Sequence, residues 1–268
     1  MQIANSVIVI TGGGSGIGAE LGRRFVAERA AAVVLADRNL APAAALAGQL
    51  GERAWALELD VTDEAAVQRT VQAVLTEHGR IDLFCSNAGI ATGIGLQGGP
   101  AAEAAWQQAW QVHVLGQLYA ARAVVPAMIE AGGGYLLHTA SAAGLLSSPG
   151  DAPYSVTKHA AVALAEWLAY QYADRNIRVS VLCPMGVDTP LLMDGLAAGA
   201  PAARAVAASA EVIGVAQVAD AVVAGLREET FLILPHPQVG KFWAGKAADI
   251  DRWLAGMARL AAEAGTTD

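Results

Sequence analysis

Val7-Ile8-Val9-Ile10-Thr11-Gly12-Gly13-Gly14-Ser15-Gly16-Ile17-Gly18 is a short apolar run that breaks into glycines, with a helical pattern opening directly behind it. The apolar run reads as a buried strand, and a strand that turns through glycines into a helix is the entry to a parallel α/β sheet. Glycines let the backbone turn tightly and approach a charged group. The free N–H groups and positive dipole end of the new helix then attract a pyrophosphate. Gly12, Gly14, Ser15, Gly16, Ile17 and Gly18 are the candidate cradle. Glycine-rich turns also occur in plain loops; the strand before this one and the helix after it give it meaning.

Working outward, the same alternation continues along the chain. Val33 to Ala36, Ala54 to Leu59, Leu83 to Ser86, Tyr135 to Thr139, Val179 to Leu182 and Phe231 to Leu234 read as further strands, seven in all. Helices are expected near 16–29, 41–50, 63–78, 102–131, 153–174 and 215–228, with a C-terminal one near 239–263. Strands separated by helices require right-handed crossovers, so the fold class is α/β: a doubly wound parallel sheet with helices on both faces. The 268 residues fit one domain, 1–268. The Gly/Ala-rich stretch 195–210, within 190–212, is a candidate mobile lid over a substrate; an ordinary surface connection fits it equally well.

Composition excludes several classes of function. Hydrophobic residues make up 54% and charged residues 16%, which supplies a core and argues against disorder. A net charge of -8 provides no basic patch, so neither nucleic acid nor a membrane surface is expected as a partner. Cys85 and Cys183 lie in apolar runs without ligand spacing, and no arrangement of histidines and acids predicts a metal. The first residues lack the basic character of a signal peptide, and a cytoplasmic protein is expected.

Asp37 ends the second strand about 20 residues beyond the glycines, where a carboxylate accepts hydrogen bonds from both adenosine ribose hydroxyls and repels the extra phosphate of NADP. NAD is favoured. Arg38, next in line, could instead pair with a 2′-phosphate. Tyr154 and Lys158 stand four apart at the start of a helical pattern, on one face. A nearby ammonium favours phenolate over phenol, and lowering a tyrosine by about 3 pKa units takes roughly 4 kcal/mol.

At these residues the sequence resembles the short-chain dehydrogenase/reductase family, over about residues 5–190. Thr11 to Gly18 match its TGxxxGxG loop, Asp60-Val61 the acid after the third strand, Asn87-Ala88-Gly89 its NAG turn and Tyr154-Ser155-Val156-Thr157-Lys158 its YxxxK. Ser141 matches its catalytic serine, and Pro184-Met185-Gly186-Val187-Asp188-Thr189 resembles the segment on the nicotinamide side, with Met185 where glycine is usual. The resemblance implies a Rossmann fold with Tyr154 as general acid/base. Lys158 would lower its pKa and bind ribose, and Ser141 would hold the substrate oxygen. It also places Asp60 and Val61 at the adenine, and Pro184, Gly186, Val187 and Thr189 beside the nicotinamide.

His113 stands where the family has asparagine. Two readings remain open: its two ring nitrogens support the water that carries protons from the lysine to solvent, or it only packs and the relay is lost or rerouted. The expected activity is NAD-dependent hydride transfer between nicotinamide and a secondary alcohol or ketone, working mainly toward oxidation. The substrate would be uncharged and moderately hydrophobic, since Ala91 to Ile94, Ala142 to Ala152, Met185 and Leu191 to Met193 offer small or apolar walls. The alternatives are an NADP-dependent carbonyl reductase and a non-catalytic nucleotide-binding regulator of the same fold. Apolar residues on more than one face of the helices near 102–131 and 153–174 predict a homo-oligomer, a tetramer by resemblance. Trp106, Trp110 and Trp167 read as packing or contact residues, and His138 and His236 as structural ones.

Overall fold

The computed structural model describes residues 1–266. Seven parallel strands form one sheet: β1 (Val7–Thr11), β2 (Ala32–Asp37), β3 (Ala54–Glu58), β4 (Leu83–Ser86), β5 (Gly134–Thr139), β6 (Ile177–Leu182) and β7 (Leu232–Ile233). Their spatial order is β3-β2-β1-β4-β5-β6-β7. The chain winds outward from β1 to β3, then crosses back to β4 and winds the other way. The loops leaving β1 and β4 therefore diverge, and the crevice between them is where such sheets bind ligands.

Side chains alternate across the sheet. Val7 and Val9 belong to one core, Ile8 and Ile10 to the other. The first core is closed by α3 (Glu64–His78), α5 (Gly116–Glu130) and α6 (Ala152–Gln171). The second is closed by α1 (Gly16–Ala27), α2 (Leu40–Leu50) and α9 (Val215–Glu228). Leu21 and Phe25 of α1 and Val218, Val222 and Leu226 of α9 are fully buried there, each worth about 1.5–3 kcal/mol. Caps fix the helix ends: Asp63 Oδ1 accepts from the N–H groups of Ala65 and Ala66, and Gly79, at φ 75°, stops α3.

Three stretches differ from the sequence expectation. The helix expected over 102–131 is α4 (Pro100–Trp110) and α5 joined by a π-helical turn, Gln111–Leu115, which carries His113. The combined stretch Pro100–Glu130 is long and apolar enough to cross a membrane, and half of its most apolar window is buried in the fold. The candidate lid is two helices, α7 (Pro190–Ala197) and α8 (Pro201–Ser209), each begun by a proline whose fixed φ suits a first turn. The C-terminal helix is broken into α10 (Gln238–Ala248) and α11 (Ile250–Ala264) at Asp249, whose carboxylate caps α11 by accepting from Arg252 N–H.

Candidate active site

The glycine turn forms between β1 and α1 because two of its positions admit no side chain. Gly12 has φ +67°, a left-handed conformation. At Gly18 a Cβ would stand 2.1 Å from the Gly12 carbonyl oxygen, so turn and helix close on each other only with glycine there. Asp37 braces this turn: its Oδ2 accepts from Gly14 N–H at 2.9 Å and its Oδ1 from Asn39 N–H at 2.9 Å. Each oxygen retains a lone pair for a ribose diol. The β4 end is tied on through Thr11, whose Oγ1 accepts from the N–H groups of Asn87 and Ala88 at 2.9 and 3.1 Å. Asn87 in turn donates to Thr11 O and accepts from Thr139 Oγ1.

A cavity of about 1190 Å³ opens at the crevice. It brings together Gly12, Ser15, Gly16 and Ile17, Asn87 to Gly89, Ser141, Tyr154 and Lys158, and Pro184, Gly186, Val187 and Thr189. Gly14 and Gly18 shape the turn behind its wall. Arg38 and Asp60 sit apart, lining a smaller depression with Gln108 and Gln111; Val61 packs against Gly116. His113 lies behind the cavity wall, fully buried. Among the described residues no group of three or more His, Cys, Asp or Glu could hold a metal. The positive-φ turn, the helix N-terminus and the Asp37 carboxylate at the end of β2 fit a dinucleotide.

Lys158 is 2% exposed and donates to the Thr139 carbonyl at 3.0 Å, with its ammonium 5.5 Å from the centre of the Tyr154 ring. Burial pulls its pKa down to about 8. Burial likewise pushes Tyr154 up to about 12, against a hydrogen bond with Ser141 that favours the phenolate. Burial thus outweighs the Ser141 bond, and the protein's own groups alone do not bring about the expected depression of the tyrosine. Ser141 Oγ, at the start of a short turn (Ala142–Gly144), accepts from Ala143 N–H at 3.1 Å.

The histidine geometry bears on the two readings left open for His113. Ile90 N–H can only donate, so His113 Nε2, 3.0 Å away, is the acceptor and the neutral ring carries its proton on Nδ1. Nδ1 then donates to Thr157 Oγ1 at 2.8 Å, and that hydroxyl donates to the Pro153 carbonyl at 2.7 Å. Both ring nitrogens are engaged with protein, and neither is left to hold the water of the expected relay. Burial, reinforced by the Lys158 charge, keeps His113 well below the usual histidine range, so it adds no second cation. Its ring meets Tyr154 edge-on, centroids 5.5 Å apart and planes at 88°.

Asp151, which sequence reasoning missed, and His236, which it read only as structural, also shape the site. Asp151 accepts four hydrogen bonds beside Tyr154. His236 Nδ1 accepts from Met185 N–H at 3.2 Å, which leaves Nε2–H to donate toward the carbonyls of Gly186 and Glu211 and so anchors the segment after β6. Its position between Pro235 and Pro237 was the only signal available.

The family model for short chain dehydrogenases matches residues 6–198. The chain is 35% identical over 222 residues to 1-deoxy-11-beta-hydroxypentalenate dehydrogenase of Streptomyces exfoliatus, covering 79% of this chain and 78% of that protein. It is 39% identical over 193 residues to a 3-phenylpropionate-dihydrodiol/cinnamic acid-dihydrodiol dehydrogenase of Escherichia coli O157:H7, covering 71% and 70%. Among solved structures it is similar to a short chain dehydrogenase/reductase from Burkholderia phymatum in complex with NAD, with TM-score 0.84, 28% identity, and 94% and 96% of the two chains covered. Glycine turn, Ser141, Tyr154 and Lys158 around one crevice agree with these likenesses: the chain belongs to the short chain dehydrogenase family.

Proposed function

We propose that this oxidoreductase uses NAD to interconvert a secondary alcohol and its ketone, with oxidation the main direction. The observation that carries the reading is the convergence of Ser141, Tyr154 and Lys158 on one cavity wall, beside a glycine turn braced by Asp37. Bound NAD supplies the hydride acceptor and a positive ring. Ser141 Oγ holds the substrate oxygen, and Tyr154 takes the hydroxyl proton as oxidation proceeds. Lys158, together with the positive ring, stabilises the phenolate that Tyr154 must be before it takes that proton, and it binds ribose hydroxyls; the transfer leaves Tyr154 as the phenol. Asp37 selects NAD by accepting both adenosine ribose hydroxyls; the relative crystallised with NAD supports this choice.

Ala91, Ala142, Ala143, Leu146, Met185 and Leu191 give the cavity an apolar lining, which suits an uncharged, moderately hydrophobic substrate. A second reading, a hydroxy acid, is favoured by Lys241 and Arg252, which line the same cavity from α10 and α11. It is also favoured by the acids in the names of the two relatives. The test is NADH formation, followed by absorbance, over a panel of secondary alcohols that pairs each neutral compound with its carboxylic acid counterpart. No turnover of any member would defeat the dehydrogenase reading and leave a nucleotide-binding regulator. A working cytoplasmic homotetramer through α4, α5 and α6 completes the proposal; Trp110, Trp167 and Tyr170 are exposed on those helices.

A further inference from the structure

Asp151 is an acid set into the wall of a largely apolar cavity, 3% exposed. Its Oδ2 accepts from the N–H groups of Thr92 and Gly93 at 2.7 and 2.8 Å. Its Oδ1 accepts from Thr92 Oγ1 at 2.5 Å and from Tyr154 N–H at 3.0 Å. A carboxylate has about four acceptor sites, so these four donors leave neither oxygen free to act as a base or to hold a ligand. The charge is stabilised by the first turn of α6, which Asp151 caps. Ala152 N–H adds a bond to the Ile94 carbonyl at 2.8 Å. The turn so gripped lines the cavity through Ala91, Thr92 and Gly93, while Tyr154 stands three residues beyond the carboxylate.

We propose that Asp151 is a positioning residue that clamps the Thr92–Gly93 wall of the substrate cavity to the N-terminus of the catalytic helix, fixing how a substrate is presented to Tyr154. The proposal rests on the dehydrogenase reading above. A helix cap alone would need only the Tyr154 contact; the other three donors come from a turn 58 to 59 residues away in the chain. Because wall and tyrosine share one anchor, loosening the turn alters substrate orientation and leaves the glycine turn untouched.

Asp151→Ser separates the two roles, since serine caps a helix about as well as aspartate but is too short to hold the 92–93 turn. With a chiral secondary alcohol oxidised by the wild type, the substrate KM should rise about ten-fold or more and the preference between enantiomers should fall. The NADH dissociation constant should stay within about two-fold. Thr92→Val, which removes one of the four donors, should shift KM the same way by less. Hydrogen exchange should show the Thr92 and Gly93 amides protected in the wild type and released in Asp151→Ser. Wild-type KM and enantiomer preference in Asp151→Ser would overturn the proposal. So would a parallel loss of NADH affinity and thermal stability, which would make Asp151 a general scaffold residue. Released amides in the variant, with no alcohol turned over by the wild type, would defeat the dehydrogenase reading and leave the clamp standing.

Discussion

Replacing His113 by alanine removes a side chain that joins three parts of the site. Ile90 N–H loses its acceptor, Thr157 loses a donor, and Tyr154 loses the ring that supports its edge. An inward-facing donor left unsatisfied costs about 1–3 kcal/mol and the aromatic contact about 1 kcal/mol, together roughly 2–4 kcal/mol. For a chain of this size that lowers Tm by roughly 5–15 °C. Thr157 keeps its bond to Pro153, so α6 should hold its form while the tyrosine gains freedom at its tip. We expect kcat to fall about ten-fold, equivalent to about 1.4 kcal/mol of transition-state stabilisation. His113→Asn should recover most of it by donating to Thr157. The assay is steady-state turnover at saturating NAD from about pH 6 to 10, spanning the titration of Lys158, with thermal melts of the same samples. If Thr157→Val leaves kcat unchanged while His113→Ala lowers it, the direct bridge is not what matters. An alanine variant with wild-type kcat throughout would remove His113 from the mechanism.

The remaining expectations concern cofactor, chemistry, acid stability and assembly. NADP should bind at least about 100-fold more weakly than NAD, because a 2′-phosphate forfeits a charge-assisted bond to Asp37 and repels it by a few kcal/mol; equal dissociation constants by fluorescence quenching would mean that Arg38 decides. Tyr154→Phe should lower kcat by about 100-fold or more with NAD affinity nearly kept, and retention of a tenth of the activity would require another base. His138, buried with Nδ1 against Gln117 Oε1, has its pKa lowered to about 4 by burial, so the unfolded chain binds the proton first. Its contribution is whole above pH 6.5 and is lost as pH falls toward 4, costing about 3 kcal/mol, which urea midpoints of wild type and His138→Gln should reveal as a steeper acid loss in the wild type. Light scattering at micromolar concentration should give a tetramer; a monomer would count against contacts through Trp110, Trp167 and Tyr170.

The residues that could be read from sequence are those whose partners are local or whose spacing is fixed by an element. Tyr154 and Lys158 are one helical turn apart, and the glycine turn must follow a strand, so a linear pattern exposes both. What Asp151 and His236 hold could not be read, because those partners lie 58–59 and 50–51 residues away, a pairing that only tertiary structure creates. The 195–210 stretch looked irregular because glycines weigh against helix. Yet Pro190 and Pro201 both stand at helix starts, a signal that was present. The break at Asp249 was also visible in principle, as an aspartate placed to cap the turn that follows it. The shift of Tyr154 could not be read at all, because it depends on how completely the fold excludes water from the phenol.

The family match stops at residue 198, yet the cavity continues into α8, α10 and α11 through Val206, Lys241, Trp253 and Met257. Bond-making groups and much of the enclosing roof are therefore written in separate, consecutive stretches of chain. Such a division permits one to drift while the other keeps its role: a transplanted C-terminal quarter could retarget the enzyme without disturbing Ser141, Tyr154 or Lys158. Diversification of substrate range in this protein would then proceed by exchange of a terminal cassette, and a chimera joined near Gly199 is the construction in which inherited chemistry and borrowed selectivity would meet.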